Sequence, residues 1–217
     1  MPKLLSELDP NLTGLFYPGA ILESPKLAAW LAVVINTWSA LEIELGRSLT
    51  SVLHTQPNVG LAIYEGLYTT SARRGVLQLA ARAHFGRDSA EAKVFCEILG
   101  LLKERAEDRN VIAHAIWGYS PQVPNALLRA SQMKVLRQDV AEALYDPTSN
   151  GPMPPPFSRD DIEVFYEEDF AGIFRRTVQI EKLFSWFWKW AKESPSRDEW
   201  RTMLCSEPRI AKILSSS

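Results

Sequence analysis

Residues 24–42 read Ser24-Pro25-Lys26-Leu27-Ala28-Ala29-Trp30-Leu31-Ala32-Val33-Val34-Ile35-Asn36-Thr37-Trp38-Ser39-Ala40-Leu41-Glu42. Serine before proline is a helix start. The serine can cap the free amides of the first turn, and proline's fixed φ suits the first helical position, where no N–H is needed. Leu27, Leu31, Val34, Trp38 and Leu41 then recur three or four residues apart, and Leu45 and Val52 continue the stripe. That spacing predicts a helix from about 25 to 54, ended by Pro57. A long helix with a broad apolar face needs neighbours to cover it, so the stretch implies a helical bundle.

Working outward, the 24 residues before it carry Pro10, Gly14, Pro18 and Gly19 and read as an extended arm. After it, a short helix is predicted near 58–66. A second long one opens at Ser71, with Val76, Leu77, Leu79, Ala80 and Ala83 on one face and Gly86 as its stop. Asp88-Ser89-Ala90-Glu91 resembles a capping box for a third, whose seam runs through Phe95, Ile98, Leu99, Leu102, Ala106, Ile112 and Ile116. Residues 117–157 hold seven prolines. With the β-compatible pieces Ala115–Tyr119, Asn125–Ala130 and Met133–Leu136, they predict a small hairpin and a Pro-rich loop. Helix resumes after Ser158, certainly by Phe170, and runs to about Ala191 through Ile173, Ile180, Leu183, Phe184 and Phe187. A last short helix begins at Ser196 and buries Trp200 and Leu204.

The expected fold is therefore mainly α. Four to five long helices form a bundle, with a small β-hairpin and Pro-rich insertion before the last long helix. The organisation follows as an arm over 1–24, a helical domain over 25–192 with the insertion at 117–157, and a short helix and tail over 193–217.

Composition narrows the function. A net charge of -2 on 217 residues gives no global pull toward nucleic acid, so a polyanion would need a local patch. Cys96 and Cys205 form no metal or redox spacing and read as small, at least partly buried side chains in a reducing compartment. Glu7, Asp9 and Pro10 interrupt the N-terminus before an apolar run forms, which argues against a signal peptide. Leu27–Ile35 and Leu183–Ala191 fall short of the roughly 20 apolar residues of a membrane span. A cytoplasmic protein without a membrane partner is the expectation. His54, His84 and His114 are widely separated and lack the paired spacing of a zinc site. No Gly-rich phosphate loop or nucleophile-elbow serine occurs. No metal or other cofactor is expected.

One run carries chemistry, Arg109-Asn110-Val111-Ile112-Ala113-His114. Arginine followed four to six residues later by histidine is a weak pattern, and Arg47 with His54 matches it too. The first run differs in its company, because polar Asn110 follows the arginine near the end of a long amphipathic helix. Stepping by seven gives Phe95, Leu102, Arg109 and Ile116, so Arg109 interrupts an inward face, where a guanidinium costs several kcal/mol unless met. Glu42, which interrupts the first helix's stripe beside Trp38, Leu45 and Leu49, is the natural partner. Asn110 and His114 share a face one flank over, extended by Glu107 and Trp117. Two readings fit. In one, Arg109–Glu42 is a buried pair fixing helix register and His114 is bonded to a carbonyl. In the other, cation and imidazole meet a phosphodiester, the arginine holding charge and the histidine moving a proton.

The run from Arg109 to Trp117 resembles the HEPN superfamily, whose signature is arginine, four to six residues, then histidine, often with a polar residue after the arginine. It is also similar to bacterial HEPN-like proteins that read Arg-Asn, apolar, Ala-His-Gly, Trp; Trp38, Leu41 and Glu42 fit the same pattern. The layout matches over most of 25–192, the identities over these few residues. The resemblance implies a homodimer of helical bundles with the Arg/His helices facing each other. It also implies a metal-independent endoribonuclease of defence or toxin–antitoxin biology, with an antitoxin or other regulatory partner. His114 would be general acid/base, Arg109 would stabilise phosphorane charge and Asn110 would position them, with Glu42 and Trp117 supporting. Non-catalytic relatives imply the alternative of a dimerisation or nucleotide- or RNA-binding module. Ala115 stands where glycine is frequent, and Ile116 where one toxin branch has a modifiable tyrosine.

Two further clusters stand out. Arg73, Arg74, Arg82 and Arg87 form the densest basic region, read first as a solvated helix face and second as a phosphate-contacting strip. Trp186 and Trp188 lie off the stripe that Phe184 and Phe187 follow, and are expected to meet the C-terminal helix or a second subunit.

Overall fold

The apolar stripe that begins at Leu27 forms one helix, α1 (Pro25–Leu53), in the computed structural model. The model describes residues 2–8, 12, 14–17, 19–133, 135–136, 159–192 and 195–216. The first turn of α1 closes on Ser24, whose carbonyl accepts the Ala28 amide at 2.9 Å. α2 (Pro57–Glu65) follows, then α3 (Thr70–Phe85), capped by the Thr69 hydroxyl, which accepts from the Ala72 amide at 3.1 Å. Ser89 caps α4 (Ala90–Ala113) in the same way, accepting from Ala92 at 3.1 Å. α5 (Glu167–Ala191) opens with Glu167, Glu168 and Asp169, acids that suit the positive end of a helix dipole. α6 (Arg197–Leu204) and α7 (Pro208–Ser215) follow. The mainly α class holds, with a small antiparallel sheet beside the helices.

That sheet is larger than a hairpin. β3 (Ala115–Tyr119) and β4 (Leu127–Ser131) pair antiparallel as expected, with Trp117 opposite Arg129. The first residues, read as an arm, add β1 (Lys3–Leu4) and β2 (Leu15–Phe16), and β5 (Glu163–Phe165) precedes α5. The order is β1-β5-β4-β3-β2, so the N-terminal segment supplies both outer strands. Met133 and Leu136, expected in a β piece, are helical instead. Pro147, Pro152, Pro154, Pro155 and Pro156 of the expected loop lie outside the described residues.

The chain divides into two compact units, Met1–Ile35 with Glu107–Phe174, and Asn36–Ala106 with Arg175–Ser217. In the first, the sheet is buried on both faces. Successive residues of a strand face opposite sides. Leu127 and Phe165 accordingly join Leu27, Val34, Ile112, Trp117, Phe170 and Ile173 in one core, while Leu128 and Val164 join Leu5, Val123 and Ile162 in another. Arg129 and Glu163 meet across the ladder as a partly buried ion pair.

The second unit is the helical bundle. Leu41, Leu45 and Leu49 of α1, Leu77 of α3, Phe95 and Ile98 of α4, and Leu183, Phe184 and Phe187 of α5 form its core. Leu204 of α6 and Ile210 and Leu214 of α7 complete it. Trp188, expected at the C-terminal helix or a second subunit, instead packs against Phe85, Phe95 and Phe187, and its indole N–H donates to Ser48 Oγ. Cys96 is half-buried, but Cys205 is exposed rather than covered. Among the described helices, α1 alone is long and apolar enough to cross a membrane by composition, with an 18-residue window of mean hydropathy 1.2.

Candidate functional site

Helix α4 ends where its sequence changes character. Ala115-Ile116-Trp117-Gly118-Tyr119 is rich in β-branched and aromatic residues and pairs as a strand, so the seven-residue stepping that carried the seam to Ile116 fails after Ala113. His114 is the turn between them. Its amide donates to the Asn110 carbonyl at 3.1 Å, continuing the helical bonding pattern by one residue. Its side chain is exposed, as is that of Asn110. Arg109 is half-buried, not sunk in a core, and its Nη1 donates to Asn110 Oδ1 at 3.1 Å. The three polar groups thus gather at the C-terminal end of α4, with arginine and asparagine bonded to each other and the imidazole one turn on.

The expected supporting residues lie elsewhere. Trp117 is buried in the first unit's core, edge-on to Phe165 with ring centres 5.4 Å apart and tilted against Phe170 at 5.7 Å. It shapes the strand after His114 and also lines a cavity of ≈ 430 Å³ with Phe16, Tyr17 and Ile116. Glu42 belongs to the second unit, where Arg73 Nη1 donates to its Oε2 at 2.8 Å and the Tyr64 hydroxyl donates to the same oxygen at 2.5 Å. The Arg73 guanidinium also stacks over the Tyr64 ring at 4.6 Å and donates from Nε to the Leu67 carbonyl at 2.8 Å. Burial first, and this hydrogen bond second, push the Tyr64 phenol far above its ordinary range. The carboxylate expected to meet Arg109 is thus the anchor of Arg73, which has a structural task, whereas Arg82 and Arg87 of the basic region are exposed.

The second unit holds a grouping that sequence reasoning passed over. His54 and His84, thirty positions apart, bring their ring centres within 4.4 Å. They line a cavity of ≈ 720 Å³ with Glu44, Arg47 and Glu181 among its walls. Burial, then His54, holds the His84 imidazole below the usual histidine range. The only sequence signal was position: each histidine stands at the end of an apolar helical stripe, beside Pro57 or Gly86.

No protein-family model matches the chain, and no curated protein or solved structure is found similar to it.

Proposed function

We propose that the protein is a metal-independent endoribonuclease acting as a homodimer, with Arg109, Asn110 and His114 of each chain contributing to one cleft. The observation that carries this reading is the exposure of Asn110 and His114, with half-buried Arg109 hydrogen-bonded to Asn110, at the C-terminal end of α4, where a phosphodiester can reach them. The HEPN-like pattern of Arg109–Trp117 supplies the chemistry. One imidazole takes the proton of an RNA 2′-hydroxyl as its oxygen attacks the adjacent phosphorus. Arginine bears the charge that grows on the phosphoryl oxygens, and a second imidazole protonates the departing 5′-oxygen. The products are a 2′,3′-cyclic phosphate and a 5′-hydroxyl. A defence or toxin–antitoxin role, a regulatory partner and a cytoplasmic location belong to the same proposal.

One observation favours the alternative of a non-catalytic dimerisation or binding module. Arg109 and His114 sit at a helix C-terminus, whose unpaired carbonyls attract cations and oppose a phosphate. Incubating labelled single-stranded RNA with the protein in excess chelator decides between them, with the mass in solution measured alongside. The nuclease reading expects a dimer and cleavage that leaves cyclic ends and disappears in His114→Ala. A monomer that leaves RNA intact overturns it. Binding without cleavage, lost in a folded Arg109→Ala, supports the module.

A further inference from the structure

The C-terminal ends of α1 and α3 carry the two imidazoles. His54 follows the last residue of α1 and takes φ of 49°, the left-handed conformation that ends a helix and that few non-glycine residues adopt. His84 lies in the last turn of α3, where Phe85 meets its ring edge-on at 4.3 Å. The two imidazole planes are inclined at 53°.

Their separation suits a shared ion. An imidazole nitrogen binds zinc at 2.0–2.1 Å, and the ring centre lies about 1.1 Å behind that nitrogen, which puts the ion roughly 3.2 Å from each centre. Two such ligands about 90° apart have ring centres roughly 4.5 Å apart, and a tetrahedral pair roughly 5.2 Å. The observed 4.4 Å matches the first within a tenth of an ångström or so. Two helix C-termini present partial negative charge beside the pair, which favours a cation. Glu44 and Glu181 add carboxylates in the same cavity. Arg47, Lys189 and Lys192 also line the wall, and Arg47 is 3.5 Å from Glu44.

We propose that His54 and His84 form a two-imidazole site for a divalent d-block cation. Imidazole pairs select cobalt, nickel, copper or zinc over magnesium and calcium. Among the described residues no group of three or more His, Cys, Asp or Glu gathers to hold a metal, so the protein supplies two ligands and water the others. The site is independent of Arg109 and His114 and stands or falls apart from the nuclease reading.

The test uses tag-free, full-length protein stripped with chelator. Nickel chloride is titrated by calorimetry, and copper is added for electron paramagnetic resonance. One equivalent of nickel should bind at submillimolar concentration, and the copper spectrum should show two coupled nitrogens. His54→Asn, chosen because asparagine tolerates the left-handed backbone, and His84→Gln should each weaken nickel binding at least tenfold. His114→Gln should bind as wild type does. The proposal is overturned by wild-type protein that binds no nickel below millimolar. Either single variant binding within about twofold of wild type, or a copper spectrum showing fewer than two nitrogens, overturns it equally. If a variant does not fold, the nitrogen count on wild type decides alone.

Discussion

The indole N–H of Trp188 donates a 3.0 Å hydrogen bond to Ser48 Oγ, a hydroxyl with no exposure at all, and so ties α5 to α1 inside the bundle. The ring packs on Phe85, Phe95 and Phe187 while its polar edge reaches the one serine buried on the facing stretch of α1. Trp188→Phe keeps much of the ring and removes the donor. It should cost about 1–3 kcal/mol, since a buried acceptor loses its partner. Ser48→Ala in the same background should restore part of that loss. Urea denaturation of the two single variants and the double variant measures the coupling, and strictly additive losses would show that the bond contributes nothing.

Arg73 and Arg109 should behave oppositely. Arg73→Ala strands the Glu42 carboxylate, removes the stack on Tyr64 and frees the Leu67 carbonyl. Both ion-pair partners are about three-quarters covered, at 26% and 22% side-chain exposure. A loss of about 1–3 kcal/mol follows, below the 3–5 kcal/mol of a fully buried pair. Arg109→Ala removes a hydrogen bond to a neighbouring exposed amide and should change stability by less than about 0.5 kcal/mol. Thermal melts of the two variants check this directly. An Arg109→Ala protein that unfolds would return the buried-pair reading of that residue.

Two glycines make a matched pair. A Cβ on Gly60 of α2 would sit 2.3 Å from Thr50 Oγ1 and 2.8 Å from Thr50 Cα, so α1 and α2 meet there only because the side chain is absent. Gly60→Ala should therefore destabilise by about 1–3 kcal/mol. Gly75, inside α3, has nothing within 4 Å of its would-be Cβ. Gly75→Ala should stabilise by about 0.5–1 kcal/mol through lost chain entropy. Equal effects of the two substitutions in guanidinium denaturation would contradict the close approach.

Glu44 gives stability a pH dependence of defined sign. Burial holds its carboxyl above the ordinary value of 4.5, against the pull of Arg47 and with a further push from Glu181. The folded chain then keeps this proton to higher pH than the unfolded chain. Stability from this group is fully present below 4.5 and is lost as pH rises through the raised value. Glu44→Gln escapes that loss, so its margin over wild type should widen between pH 4.5 and neutrality. Denaturation midpoints at both pH values test it; a margin that stays constant rules the effect out.

The long helices were legible because a 3.6-residue period repeats many times in them, and caps such as Ser89 mark their starts. Strands of two residues repeat nothing. β1 and β2 sit among Pro10, Gly14 and Gly19, where only turn signals are visible, and their pairing with β5 and β3 is decided by residues far away in the chain. The end of α4 was obscured for a related reason. Ile116 satisfies the helical seam and a strand equally well, and its pairing with Ala130 decides the matter. At the site, the Arg109–Asn110–His114 grouping follows from helix geometry. The partner of Glu42 does not, because it is Arg73 of α3, a helix outside the motif. His54 and His84 share no spacing rule. Their proximity arises only when two helices end side by side.

Placing both outer strands of the sheet at the start of the chain orders events in time as well as space. Lys3 pairs with Val164, so β1, made well before β5, waits for it before its ladder can form. Until then β1 lacks its neighbour, an invitation to pairing with other chains. Loss of the first sixteen residues would remove both outer strands and leave β5 and β3 as the sheet's edges. Aggregation would then accompany a lowered melting point, because Leu5 of the lost segment also belongs to the core.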